Sequence, residues 1–187
     1  MRARFFQHRK RVVAAIAVAV LLIALVVAYI ATRWNNVPFE TIEQLDGPSS
    51  LRHRPDTKPA VFVVARPEEI EAIKPYVSDE AALALGGLNF ENEFAVAAFQ
   101  GLQGADFRGT FHLEYLIHDG PEIRLYAHPD SSDPTIMAPD IMTSPYHIIK
   151  IQREVIRSGS YTFTLYWRET NSMVASTTYS FPQQPLP

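Results

Sequence analysis

The chain of 187 residues contains no cysteine. That excludes a disulfide framework, a thiol nucleophile, a lipid-modified cysteine and a thiolate metal site. It does not exclude export, because a domain of this size can be stable without cross-links. Glycine is scarce, with 8 residues, and no phosphate-cradling pattern occurs. The three glycines of Gly101–Gly109 fit neither a Walker A loop nor a dinucleotide fingerprint. A G-x-S-x-G elbow is also missing, which removes the usual seat of a hydrolase serine. Asp130-Ser131-Ser132-Asp133 lacks the alternating ligands, central glycine and terminal glutamate of a calcium loop. There is no internal repeat and no low-complexity segment.

Positive charge is scarce beyond the first residues. Arg2, Arg4, Arg9, Lys10 and Arg11 are five of the 17 basic residues, and no acid accompanies them. The remaining 12 basic residues face 20 acidic ones, a balance of −8. Such a domain gains nothing from counterion release on a phosphate backbone, so nucleic acid is not an expected partner.

The first feature present is a long apolar run. From Val12 to Ile30 every one of 19 residues is Val, Ala, Ile, Leu or Tyr. A helix rising about 1.5 Å per residue would cross a hydrocarbon core of roughly 30 Å over that length. Tyr29 and Trp34 suit the headgroup layer at its far end, and the basic cluster suits the cytoplasmic side. A cleaved signal peptide would have a shorter apolar region ending in an A-x-A site, which Ala28-Tyr29-Ile30-Ala31 matches poorly. The expectation is a single-pass signal anchor in the cell membrane. Residues 1–11 form a basic cytoplasmic tail, 12–31 a transmembrane helix, 32–59 a linker and 60–187 an extracytoplasmic domain. Val12, Leu21, Leu22 and Ile30 would face membrane lipid.

The linker is read from Pro38, Gly47, Pro48, Pro55 and Pro59, with a short helix near Phe39–Leu45 as an option. The domain then opens with a strand at Ala60–Ala65. Pro67 and the acidic residues behind it predict a helix, which Pro75 stops. Asp79 would cap a second helix, Glu80–Leu85, closed by Gly86-Gly87. Strands follow at Phe94–Gln100, Thr110–His118, Glu122–Ala127 and Tyr146–Gln152, and a hairpin pairs Tyr161–Arg168 with Met173–Phe181. The fold class is therefore α+β: an N-terminal transmembrane helix, then a single, mainly antiparallel sheet with one or two short helices.

Chemistry is hard to place on this pattern. Ser144 and His147 lie three apart, but Ser144-Pro145 reads as a turn leading into a strand. His112, His118, His128 and His147 sit on different elements without ligand spacing and read as surface histidines. Plain alternation puts His112 and His118 on one polar face. No metal, cofactor or catalytic residue is expected. The long loops 101–109 and 128–145, together with open strand edges, favour binding.

Residues 88–154 resemble the C-terminal domain of the protease complex subunit PrcB family. The resemblance rests on Phe90-Glu91-Asn92-Glu93-Phe94 leading into Ala95–Phe99, on Gly101, on Gly109 with Phe111, and on Thr143-Ser144-Pro145-Tyr146-His147-Ile148-Ile149-Lys150-Ile151. The chain departs from the family in its longer Leu102–Arg108 stretch. The resemblance implies a non-catalytic accessory subunit without a cofactor, which binds or stabilises a cell-envelope protease. It makes Gly101, Gly109, Phe111, Thr143, Ser144, Pro145, Tyr146 and His147 the partner-facing or framework residues. Two other readings stand beside it. One is a cell-surface small-ligand or glycan sensor with a pocket lined by Tyr161, Tyr166 and Trp167. The other is a hydrolase using Ser144 and His147 or a carboxylate pair.

Overall fold

The computed structural model describes residues 18, 20–22, 35–45, 58–103, 110–129, 144–156 and 158–182. The chain divides into two units, Met1–Asn36 and Val37–Pro187. In the first, Leu21 and Leu22 are helical with exposed side chains. Val12, Ile30 and most of the expected spanning segment lie outside the described residues.

Among the described residues the second unit holds eight strands: β1 (Phe39–Leu45), β2 (Ala60–Val64), β3 (Glu93–Phe99), β4 (Phe111–Asp119), β5 (Glu122–Pro129), β6 (Tyr146–Gln152), β7 (Gly159–Trp167) and β8 (Ser172–Phe181). They form two four-stranded sheets, ordered β1-β6-β3-β2 and β4-β5-β7-β8. The first sheet is antiparallel throughout. The second is mixed, because β5 and β7 run parallel. The chain leaves β5, crosses to the first sheet as β6 and returns as β7, so β7 enters in the direction of β5.

This overturns the expected fold class. Among the described residues no helix is long and apolar enough to cross a membrane. In place of one antiparallel sheet there are two, one of them mixed, with only short helices. The segment Phe39–Leu45, expected to be linker or helix, is strand β1 and pairs with β6 from Phe39↔Ile151 to Leu45↔Tyr146.

Two cores follow from the alternation of side chains along each strand. Phe94, Val96 and Ala98 of β3 and Ile149 and Ile151 of β6 pack against Phe111, Leu116, Ile123, Leu125, Phe163 and Leu165 of the other sheet. The opposite face of the first sheet carries Ala95, Ala97, Phe99, Tyr146 and Ile148. Two helices cover it: α1 (Ile70–Ile73), flanked by 3-10 turns, and α2 (Asp79–Gly86). Ile73, Ala81 and Leu85 are their buried positions. The cap of α2 is Ser78 rather than Asp79: its Oγ accepts the Ala81 N–H at 2.9 Å. Asp79 falls inside the first turn, where it still faces the positive end of the helix dipole.

Candidate functional site

Register places the long connections at one end of the sandwich. Leu45, Phe99 and Tyr146 lie side by side in the first sheet. Phe111 opposes Pro129, and Ala127 opposes Trp167, in the second. The Gln100 N–H donates to the Pro145 carbonyl at 2.9 Å, joining the start of the β3–β4 connection to the end of the β5–β6 connection. The other end carries the tight Gly120-Pro121 turn and the Arg153–Val155 3-10 turn.

The described residues of the expected motif lie at this end of the strands. Phe111, Ser144 and Tyr146 are 0% exposed, and His147 is 2% exposed. Gly101 and Pro145 are also buried. Gly101 has φ 81°, a left-handed conformation that a side chain would strain. Gly109 and Thr143 lie outside the described residues. The described members of the motif are thus framework.

His147 shows how that framework works. Its Nδ1 accepts the Leu113 backbone N–H at 2.8 Å. An amide can only donate, so in the neutral ring the proton sits on Nε2, which donates to Thr41 Oγ1 at 2.9 Å. One imidazole therefore ties β6 to β1 and to β4 of the other sheet. Burial, assisted by His112, pushes its pKa down to about 4. With both nitrogens engaged, none is left to take a proton from Ser144. The Ser144–His147 pair of the hydrolase alternative therefore has no free ring nitrogen to work with, and His147, expected at the surface, is buried.

Tyr146 anchors a second network. Its hydroxyl donates to Glu43 Oε2 at 2.6 Å and accepts the Ser78 N–H at 3.0 Å. Ser78 Oγ donates to Glu43 Oε1 at 2.6 Å. Burial, then the Glu43 carboxylate, raises the phenol well above its usual range. Strand β1, strand β6 and the start of α2 are locked together by these bonds.

The aromatic pocket of the sensor reading does not assemble. Tyr161 turns into the core, and Trp167 packs edge-on against Phe111 at 5.9 Å. Tyr166 lies on the opposite face of the second sheet, which no helix covers among the described residues. There it stands in a row with Tyr126 at 5.5 Å, which in turn stacks on Tyr115 at 4.7 Å. The row crosses β4, β5 and β7 in register and ends at Met173 on β8. The rings lie within about 21° of parallel at a spacing near that of neighbouring strands, so each ring mostly covers the next. They stiffen the face and leave no slot between them for a ligand.

The four sheet edges differ. Strand β1 carries Glu40 and Glu43, and β2 is only five residues long. The outer edge of β4 is engaged by His147 at Leu113 N and by Val37 N at Leu116 O. Strand β8 spans ten residues, SMVASTTYSF, with no charge and no proline. Among the described residues no backbone hydrogen bond reaches its outer edge. Natural sheets guard exposed edges with charge, proline, shortness, a bulge or a cover; among the described residues β8 has only a bulge at Val174, where Leu165↔Ala175 gives way to Tyr166↔Met173. The sequence shows this strand but not that it is an edge, which depends on the pairing of β7 with β5. No protein-family model, curated protein or solved structure matches the chain.

Proposed function

We propose that the protein is a non-catalytic interaction module of the cell envelope. It binds an extended segment of a partner protein along the outer edge of β8. The observation that carries this reading is the long, neutral edge of β8, which no strand pairs among the described residues. An added strand would satisfy the open backbone groups, and the exposed Ser176, Thr178 and Ser180 would tolerate many partner sequences. The resemblance to the PrcB family favours an extracytoplasmic protease as that partner, with this protein supporting its assembly or stability. The apolar run 12–30 and the basic residues before it favour a position at the membrane with the sheets on the outer side.

The test is a crosslinking capture from membranes with the full-length protein as bait. The expected result is a protease recovered with the wild type and lost from the Ser176→Lys/Thr178→Lys variant, whose charges guard the edge. Recovery unchanged in that variant removes β8 as the contact. Capture of no envelope protein removes the accessory-subunit reading.

A further inference from the structure

Strands β4 and β5 form a tight hairpin, and counting back from its Asp119↔Glu122 pair predicts that Leu113 opposes His128. The observed pairing is different. A bulge between Leu113 and Tyr115 shifts the register by one residue, so His112 opposes His128 directly. The same bulge reverses the facing of everything before it. His112 therefore joins Tyr115 and Tyr126 on the open face. His118 falls in the inward row beside Ile123, with its ring 5.6 Å from Tyr161. The two histidines that plain alternation puts together are thus separated, and two that are 16 residues apart are brought together.

The His112 and His128 rings stand 5.8 Å apart between centroids, at 66°. Glu169, in the turn between β7 and β8, places Oε1 3.3 Å from His128 Nδ1. Glu114 lies 3.9 Å from His112 Nε2 but accepts a 2.7 Å hydrogen bond from Arg168. That bond holds Glu114 to the guanidinium, while Glu169, the more exposed carboxylate, stands beside His128.

We propose that His112, His128 and Glu169 bind one divalent transition-metal ion, of the zinc or copper type, on the open face of the second sheet. Two imidazoles sharing an ion at about 2.1 Å from each nitrogen have centroids roughly 5–6 Å apart. Two ligand atoms on a tetrahedral ion at that distance are about 3.4 Å apart, close to the separation of Glu169 Oε1 and His128 Nδ1. Imidazole nitrogen with one carboxylate oxygen is a donor set that suits zinc and copper rather than magnesium or calcium. Among the described residues no three such groups are preassembled around a point. Binding would require the partly exposed His112 ring and Glu169 to turn toward a common point beside His128. The ion would clamp the start of β4, the end of β5 and the β7–β8 turn beside the loop-bearing end.

The test is zinc titration of the full-length protein by calorimetry at pH 7.5, with thermal unfolding in parallel. Wild type is expected to bind one zinc ion per chain and to unfold at higher temperature with it. His112→Asn and His128→Asn are each expected to weaken binding at least tenfold, whereas His118→Asn leaves it unchanged. Binding is expected to fade at pH 5.5, where protons compete for the imidazoles. Copper(II) bound to the wild type supplies a readout that needs no variant: its spin-resonance spectrum should show coupling to imidazole nitrogen. Absence of zinc binding up to millimolar concentration overturns the proposal. So does full affinity in the His112→Asn/His128→Asn double variant, or an all-oxygen copper spectrum.

Discussion

Strands β6 and β8 are opposite in situation. Strand β6 is paired on both sides, and five of its seven residues are buried. Strand β8 is paired on one side, and most of its side chains reach solvent. The difference separates two kinds of sequence signal. A distinctive motif such as Ser144–Ile151 records what is needed to hold three strands and a helix together. A plain run of serine, threonine and valine records nothing distinctive, yet it leaves backbone open to a partner.

The contrast is broken most directly by Ile149→Ala on β6. That side chain is 0% exposed between the two sheets. Its loss is expected to cost about 2–5 kcal/mol, read as a lower urea midpoint. A cost below 1 kcal/mol would mean that β6 is not the centre of the core.

Acid should find the same strand. His147 titrates near 6.5 when unfolded and near 4 when folded, so the folded state refuses a proton that the unfolded state accepts. Its contribution is complete above about pH 6.5 and is lost as the pH falls toward 4. The loss is ~3 kcal/mol, from about 1.4 kcal/mol per unit of pKa difference. Urea unfolding of wild type and His147→Gln across pH 7 to 4 reads it as a steeper fall for the wild type. Equal slopes would show that the imidazole is not buried neutral.

Tyr146→Phe keeps the ring but strips the hydroxyl from Glu43 and Ser78. The two groups left behind make a loss of about 1–3 kcal/mol the expected outcome. A change within error would show that water replaces the hydroxyl freely. The smallest effect belongs to β8. Thr178→Lys faces solvent and should shift stability by less than about 0.5 kcal/mol, in line with other exposed positions. A loss as large as that of Ile149→Ala would erase the distinction between the two strands.

Local pattern made most strands legible. Tyr146–Gln152 agrees with β6 to the residue, and the hairpin predicted at 161–181 is β7 with β8. Strand β1 escaped notice because its sequence, FETIEQL, lies among prolines and has a polar outer face. It is a strand because β6, about 106 residues later, offers an edge. The division into two sheets escaped for the same reason, since pairing over such distances leaves no periodicity in the chain. The roles of His112, His128 and His147 were hidden by one bulge and by one fold-spanning contact. Spacing along the sequence reports neither.

The parallel alignment of β5 and β7 also bears on how the molecule assembles. The second sheet cannot be completed until the chain has visited the first sheet as β6. Neither sheet is then an independent folding unit. The two should melt in one cooperative transition, and the rate of reaching the native state should be set by distant pairings rather than by the local β4–β5 hairpin. A chain still emerging from synthesis would expose β5 without its neighbour until β7 (Gly159–Trp167) arrives, and that interval is one of exposure to misassociation.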